Sequence, residues 1–389
     1  MARRILSGVR VLDLTQIVAG PYCTRMLADL GADVVKIDPP SPDGGARGLR
    51  RSAGPAAQNA GKRSIVLDLK HPDGLAAARR LAETADIFVQ NYRPGALESL
   101  GLGYHSLRGT NPGLIYVTIS GFGQDTSFAG RGAYGATAHA EAGWLWVQQQ
   151  AEGGERPFAP GVTVADIATG MNACTAVVAA LYDREKSGAG QSINVTLMDS
   201  QLAFLAEAAA AALAAPADAG WTPFRHGLQR TSDGYVAINV GSPRNWARLA
   251  TAIGCPEPSP SSERGDAERL LADWAATRTT AEVAAALDAA GAPYGVVRTM
   301  HEAISHPYFL ERGMLSTVPD PLDGSTRVVS SPLFFSAAEC RPAGASPLAG
   351  EHTESVLREL GYDAAAVAEL MRLGAAQGAG SPSAAMDPQ

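Results

Sequence analysis

The chain has 389 residues, of which 46% are hydrophobic and 18% are charged, and its formal net charge is −7. This composition is ordinary for a globular protein long enough for two domains, and the negative charge argues against a nucleic-acid partner. Because we find neither a secretory signal nor an apolar run long enough to cross a bilayer, we expect no membrane partner and a cytoplasmic location.

The N-terminal segment predicts a β-α-β unit. Val9–Thr15 has the pattern of a buried strand, a helix opens at Ala19–Pro21, and Asp33–Asp38 has the pattern of a second strand. A dinucleotide site would need G-x-G-x-x-G after the first strand, and Gln16–Pro21 does not supply it. The sequence therefore argues against an ordinary NAD site.

Further strands alternate with helical segments along the first part of the chain. They are predicted at residues 63–70, 86–91, 114–120 and 192–197. This alternation favours an α/β fold with an open, largely parallel sheet, in which ligands bind at the carboxyl ends of the strands. We assign residues 1–215 to this large domain.

The remainder of the chain divides into three parts. Residues 216–317 predict a linker and a smaller α/β domain, and the composition changes again at about residue 318. The Gly/Ala/Ser/Pro-rich residues 374–389 predict a disordered tail.

The cysteines carry no metal or disulfide signature. The four are widely scattered, at Cys23, Cys174, Cys255 and Cys340, and no Cys/His pattern has the spacing of metal ligands. We therefore expect reduced thiols and no metal site.

Asp166 lies where a short β-like run becomes a helix. A carboxylate in a first turn is close to the positive end of the helix dipole and to backbone N–H groups that lack intrahelical partners. Those donors favour the ionised form, which is the nucleophilic one. Gly170 follows one turn later, and its missing side chain is expected to leave room above the carboxylate. The alternative is that Asp166 only stabilises the helix end.

Short motifs in a fixed order connect the chain to a known family. They are Val11–Thr15 with Ala19–Pro21, Leu30–Ile37, Asn59–Lys70, Asn91–Ala96, Asp166–Gly170, Gly188–Gln191, Glu311–Met314 and Gly350–Glu354. The set resembles the class III CoA-transferases, the group of the formyl-CoA and carnitine CoA-transferases, to which the 2-methylacyl-CoA racemases are related.

The resemblance implies the architecture and the reaction. The large domain would be Rossmann-like and built from both chain ends, with residues 318–373 returning to it, and two subunits would interlock as a homodimer. An aspartate, here Asp166, would attack an acyl-CoA thioester to give an aspartyl anhydride and then an aspartyl-CoA thioester, which an acceptor carboxylate attacks. CoA would enter as a thioester substrate together with a carboxylic acid, and no cofactor would be bound permanently.

Strand position and the resemblance together point to CoA-binding residues. Three of them match family positions that line the CoA site, two lie beside contact loops, and three end the first strand: Lys70, Asn91 and Tyr92; Arg93 and Arg131; Ile17, Val18 and Ala19. Arg and Lys suit the phosphates of CoA. For Lys70, Arg93 and Arg131 the alternative is an ordinary solvated charge.

Tyr134 and Gly135 separate the candidate functions. Racemase relatives carry His-Asp there, and transferases commonly carry Tyr followed by Asp or Glu. The pair Tyr134–Gly135 lacks the racemase base and also the common transferase acid. The missing base favours a transferase, in which we expect these two residues and Gly170 to contact substrate. A racemase or epimerase and a non-catalytic acyl-CoA-binding protein remain the alternatives.

Two histidines accompany these candidates. His139, on the same predicted helix as Gly135, is expected to be structural, and His226, in the linker, is expected to face water. Gly227 or Gly241 would stand in for the family's mobile glycine loop.

Overall fold

A computed structural model describes residues 3–40, 53–153, 155–214, 216, 227–238, 243–254, 264–320 and 322–379. The chain forms two compact units. The larger comprises Met1–Gln149, Glu155–Ala219 and Arg312–Gln389, and the smaller comprises Gln150–Gly154 and Gly220–Glu311. His226 and Gly241 lie outside the described residues.

The N-terminal half of the larger unit alternates strands with helices. In chain order it contains β1 (Arg10–Leu14), α1 (Ala19–Asp29), β2 (Asp33–Asp38), α2 (Ala53–Asn59), β3 (Arg63–Leu67), α3 (Pro72–Thr84), β4 (Ile87–Gln90), α4 (Ala96–Ser99), α5 (Tyr104–Thr110) and β5 (Ile115–Ser120). It continues with α6 (Gly135–Glu141), α7 (Trp144–Glu152, assigned to the smaller unit from Gln150 onward), α8 (Val164–Ser187), β6 (Ser192–Thr196), α9 (Leu197–Phe204) and α10 (Ala206–Ala214).

The remaining elements form the smaller unit and the C-terminal part of the larger unit. The smaller unit contains β7 (Gly227–Arg230), β8 (Tyr235–Ile238), α11 (Pro243–Ile253), α12 (Arg264–Ala276), α13 (Thr280–Ala290), β9 (Tyr294–Val296), α14 (Met300–Ile304) and α15 (Pro307–Glu311). The larger unit resumes with β10 (Leu315–Asp320), β11 (Gly324–Val329), α16 (Thr353–Glu359), α17 (Ala364–Arg372) and β12 (Ala376–Gln377).

A seven-stranded sheet in the order β12-β3-β2-β1-β4-β5-β6 organises the larger unit. Its strand pairs are parallel except for β12, which runs antiparallel to β3. The predicted α/β fold with an open, largely parallel sheet is thus confirmed.

The strand order reverses between β1 and β4. The chain first builds from β1 through β2 to β3, and then adds β4, β5 and β6 on the other side of β1. The helices that follow the two central strands pack on opposite faces of the sheet: Leu27 of α1 joins one core cluster, and Leu97 and Leu107 of α4 and α5 join the other. Such a reversal opens a crevice at the carboxyl ends of the two strands.

Helix α8 is the core helix on the α1 face. Ala173 and Val177 are fully buried there, and α8 packs against α1, β5, β6 and α9. By length and composition it is the one described helix that could cross a bilayer, and the pair α9 and α10, bent by 73°, would be a second such segment if it were one span. Helix α8 therefore packs as an internal helix. Its first turn contains Asp166.

The smaller unit has its own core. Strands β7, β8 and β9 form an antiparallel sheet, and Val236 of β8 packs with Leu249, Leu271, Val283 and Leu287 of its helices.

Two predicted boundaries need correction. Residues 374–379, expected to be disordered, include β12, whose Ala376 and Gln377 pair with Leu67 and Val66 of β3. Position 317, the expected end of the smaller domain, falls inside β10, which pairs along its length with β11. The larger unit therefore resumes at Arg312 rather than at residue 318.

Candidate active site

A cavity of about 310 Å³ lies at the carboxyl ends of β1, β4 and β5. Its walls come from the segments that follow these strands and from the starts of α8 and α9. Seven of the predicted site residues line it: Ile17, Ala19, Asn91, Tyr92, Arg93, Tyr134 and Asp166. The cavity thus occupies the crevice that the strand reversal opens.

Asp166 lies in the first turn of α8 and is only 6% exposed. Burial raises the pKa of its carboxyl to about 6, although its own backbone N–H and that of Gly135 donate hydrogen bonds that lower the pKa. The helix-end donors lower the pKa, as expected, but desolvation raises it by more, so the net shift is upward. At neutral pH the group is still mostly a carboxylate, and it is poorly hydrated.

Gly135 is fitted to this carboxylate. A Cβ atom at position 135 would overlap Oδ2 of Asp166 and crowd the side chain of Thr163. Its backbone N–H is the donor just described, so the start of α6 contacts the carboxylate directly. The absence of a side chain at residue 135 is therefore a requirement of the observed carboxylate position.

Asn91 ties two walls of the cavity together. Its Oδ1 accepts a hydrogen bond from the backbone N–H of Gln16 at 2.9 Å, and its Nδ2 donates to the Gln16 carbonyl at 2.8 Å. The side chain thereby extends the pairing of β4 with β1 by one residue. The next residue, Ile17, is 63% exposed and has φ of 72°, the one positive φ outside glycine among the described residues. A β-branched residue in this region is strained, as is common at functional sites.

A buried charge cluster contacts the segment that joins β1 to α1. Lys62 Nζ lies 3.0 Å from Asp13 Oδ2, and both side chains are fully buried. Thr15 and Thr24 donate their hydroxyl protons to the same carboxylate at 2.6 Å, and Lys36 donates to the carbonyl of Thr15. Burial raises the pKa of Asp13, but the lysines and hydroxyls outweigh it and hold the pKa well below its ordinary value. Burial lowers the pKa of Lys62 to about 8.

The cluster fixes both ends of the segment that lines the cavity. Lys62 also donates to the Pro21 carbonyl and to Asn59 Oδ1, each at 3.0 Å. Residues 16–19 are thus held between Thr15 and Pro21, which are each bonded to a buried lysine.

Comparison with known proteins identifies the family. The chain matches the sequence model of CoA-transferase family III over residues 6–353. The chain belongs to CoA-transferase family III.

Relatives of this family differ in their reactions. The human succinyl-CoA:glutarate CoA-transferase is 32% identical over 396 residues, which cover 95% of this chain and 89% of that protein. The human alpha-methylacyl-CoA racemase is also 32% identical, over 372 residues that cover 92% of this chain and 94% of the racemase. The crystal structure of a CaiB/BaiF family protein from Brucella suis matches with a TM-score of 0.80 and 30% identity, covering 92% and 99% of the two chains. The predictions of the family and of an enzyme of this class are confirmed, and such enzymes act on CoA thioesters.

Three of the predicted CoA-binding residues, Lys70, Val18 and Arg131, are not among the residues that line the cavity. Lys70 is exposed in the turn after β3, and Val18 is the N-cap residue of α1. Arg131 pairs with Glu141 and lies over the ring of Phe122 at 5.0 Å. Each of the three stays a proposal for the extended CoA molecule.

Gly170 has a different role from the expected one. A Cβ atom there would lie 2.6 Å from the carbonyl oxygen of Ala19 and 3.0 Å from the ring of Tyr22. The missing side chain lets α8 approach α1, and does not open space above Asp166. Its effect on the site is indirect, because Ala19 lines the cavity.

Sequence reasoning missed several lining residues: Gln16, Ile119, Ser120, Gly121, Ala133 and Leu197. Gln16 directly follows the first strand, and Ser120 and Gly121 lie at the end of the fifth, so the rule for parallel sheets would have pointed to them. Among the described residues, no group of three or more His, Cys, Asp or Glu side chains could hold a metal ion.

His139 belongs to the support of the site. It is 3% exposed, and its Nε2 accepts a hydrogen bond of 3.1 Å from the backbone N–H of Ala165, the residue before Asp166. Burial lowers the pKa of the imidazole, which favours the neutral form that this bond requires. The structural role expected for this histidine agrees with the contact.

Proposed function

We propose that this enzyme moves CoA from an acyl-CoA donor to a carboxylic acid acceptor, with Asp166 as the covalent nucleophile. The observation that carries the proposal is the partly desolvated carboxylate of Asp166 in the wall of the cavity at the strand reversal, held by the Gly135 N–H. A carboxylate with few water contacts and a raised pKa is more nucleophilic than a solvated one.

The proposed reaction has four acyl transfers. The Asp166 carboxylate attacks the thioester carbonyl, which breaks the C–S bond and gives an aspartyl anhydride and CoA thiolate. The thiolate attacks the aspartyl carbonyl of the anhydride and releases the donor acid as a carboxylate. The acceptor carboxylate then attacks the aspartyl-CoA thioester, and the freed thiolate takes the acceptor acyl group from the new anhydride. Each step conserves an activated acyl bond, and Asp166 ends as a carboxylate.

Arg93 supports the binding of CoA. It lines the cavity, and its guanidinium forms no hydrogen bond or ion pair with another residue in the described part of the chain. Arg93 is exposed at the cavity wall, and an uncommitted guanidinium there suits a phosphate of CoA. We assign Tyr92 and Tyr134, which also line the cavity, to contacts with the acyl group or the pantetheine arm.

A racemase is the second candidate, because one relative carries that name. Racemisation needs groups that remove and return the α-proton on opposite sides of the carbon. His139 cannot serve, because its Nε2 is committed to the Ala165 N–H and it does not line the cavity. The geometry of the described lining residues therefore favours transfer.

A homodimer is proposed as well. Along α8 the side chains of Met171, Val178 and Tyr182 are 47%, 42% and 66% exposed, and Leu202 and Phe204 of α9 are also exposed. Large apolar side chains grouped on neighbouring helices are typical of an association surface. Light scattering after size exclusion should give twice the monomer mass of 40.2 kDa.

One assay separates the candidate functions. The purified enzyme is incubated in deuterated water with succinyl-CoA or a 2-methylacyl-CoA as the donor, and with glutarate and a panel of further acids as acceptors; succinyl-CoA and glutarate are the pair in the name of a human relative. New thioester without deuterium at the α-carbon supports transfer. Deuterium at the α-carbon without an acceptor acid would indicate racemisation, and neither product across the panel would leave a binding protein.

A further inference from the structure

Helix α6 contacts the start of α8 at two points. At its first residue, the Gly135 N–H donates to the Asp166 carboxylate. One turn later, His139 Nε2 accepts from the Ala165 N–H at 3.1 Å. One short helix thus holds both the reactive group of the proposed nucleophile and the backbone that carries it.

The second contact replaces a missing cap. The first backbone N–H groups of a helix have no partner within the helix, and a side chain at the N-cap position usually accepts from one of them. Thr163, the N-cap residue of α8, makes no such hydrogen bond. The imidazole of His139 supplies the acceptor from another helix.

The contact also fixes the chemical state of the ring. An imidazole nitrogen accepts a hydrogen bond only when it carries no proton, so the proton of the neutral ring is on Nδ1. His139 does not line the cavity, so it does not touch substrate as a catalytic residue would.

We propose that His139 is a positioning residue, whose Nε2 acceptor holds the first turn of α8 so that the Asp166 carboxylate stays against the Gly135 N–H. This inference rests on the proposed function of Asp166. Loss of the acceptor frees the Ala165 N–H in a buried place and lets the first turn shift. A shift of about 1 Å at a nucleophile is enough to cost about 100-fold in rate.

Two substitutions distinguish positioning from packing. His139→Gln keeps an acceptor, since the amide oxygen can take the place of Nε2, whereas His139→Leu fills a similar space without one. The exposed His105 of α5 provides the matched controls, His105→Gln and His105→Leu. Each variant is mixed with acyl-CoA in a single turnover, and acylation of Asp166 is followed by quenching and mass spectrometry. Acyl-CoA affinity and the melting temperature are measured in parallel.

The inference expects a specific pattern. His139→Leu acylates Asp166 about 100-fold more slowly with little change in acyl-CoA affinity, His139→Gln recovers most of the rate, and both control variants behave like the unmodified enzyme. A purely structural histidine would lower the melting temperature without this split. Unchanged acylation in His139→Leu, or equal losses in the Gln and Leu variants, would overturn the inference.

A second measurement does not depend on activity or on the Leu variant folding. The protein is labelled with ¹⁵N-histidine, and the signal of His139 is assigned by its loss in His139→Gln. At neutral pH the ring nitrogens should report the Nδ1–H tautomer with an unprotonated Nε2. An imidazolium or the Nε2–H tautomer would refute the contact. Should the unmodified enzyme form no adduct, the proposed function would fail and the positioning role with it, while this spectrum would still report on the hydrogen bond.

Discussion

The backbone N–H of Gly135 donates to the carboxylate of Asp166, and no side chain at position 135 would fit beside that carboxylate. The two residues are 31 positions apart in sequence and meet because α6 packs on the start of α8. In this chain the space that a side chain at residue 135 would fill is taken by the proposed nucleophile.

Gly135→Ala should reduce activity severely. The added methyl group would overlap Oδ2 of Asp166, so the carboxylate must rotate and lose its donor. We expect a fall in kcat of about 100-fold or more, as for other misplaced reactive groups. The check is steady-state transfer kinetics alongside circular dichroism.

Gly130→Ala is the control for that substitution. A Cβ atom there meets no atom within 4 Å, and the residue does not line the cavity. Normal activity in Gly135→Ala would mean that the carboxylate does not depend on this fit.

Transfer should have an acidic limb set by Asp166. Its pKa is raised to about 6, and only the ionised carboxylate is nucleophilic. The value of kcat/KM should therefore fall as pH drops through about 6, and the measurement is a pH profile with a substrate that does not titrate in this range. A flat profile between pH 5 and 7 would contradict the assignment.

The same shift has a consequence for stability. The folded-state pKa lies above the unfolded value, so the folded protein binds more protons between about pH 4 and 6, and this group destabilises the fold at neutral pH. Asp166→Asn should thus be more stable than the unmodified protein at pH 7 by on the order of 1 kcal/mol after solvent screening, with the difference shrinking as pH falls. Urea titrations at several pH values measure it.

Arg93→Ala should weaken binding and leave chemistry largely intact. Loss of an uncommitted guanidinium in the cavity wall is expected to raise KM for acyl-CoA by about tenfold with a small change in kcat. Arg108→Ala, at an exposed site on α5, is the control.

A truncated substrate tests what Arg93 recognises. An acyl-pantetheine lacks the nucleotide phosphates, so the Arg93→Ala and unmodified enzymes should have similar KM values for it. An equal rise in KM for both substrates in Arg93→Ala would show that Arg93 does not act through the nucleotide phosphates.

Lys62→Met should be strongly destabilising. It leaves the fully buried carboxylate of Asp13 without its ion-pair partner, which typically costs about 3–5 kcal/mol. The free energy of unfolding in urea measures the loss. Arg372→Met, which breaks an exposed pair with Glu369, should change it little. If Lys62→Met were as stable as that control, the cluster would not support the β1–α1 loop.

Much of the fold followed from local pattern. The strands around Leu12, Val34 and Ile65 show the buried apolar runs of parallel sheets, and the rule on carboxyl ends placed Ile17 and Ala19 near a ligand. Asp166 is predicted as the nucleophile because its motif resembles that of the class III CoA-transferases, since an acid at a helix start is by itself also explained by stabilisation of the helix end.

Other features depend on contacts that are distant in sequence. Asp13 and Lys62 are 49 residues apart, and nothing local indicates that they pair beneath a loop. The sequence places Gly170 one turn after Asp166 on the same helix, whereas its role depends on contact with Ala19 of another helix. The pKa of Asp166 depends on how much water the fold excludes from its carboxyl group. The position of the residue in the first turn of a helix does not reveal that burial.

Capture of the intermediate tests the central proposal most directly. The enzyme is mixed with acyl-CoA, quenched during turnover, digested and analysed by mass spectrometry, with Asp166→Asn as the control. We predict an acyl or CoA adduct on the peptide that contains Asp166 and none in the variant. Continued CoA exchange with no adduct on that peptide, or with an adduct on a different residue, would contradict the account.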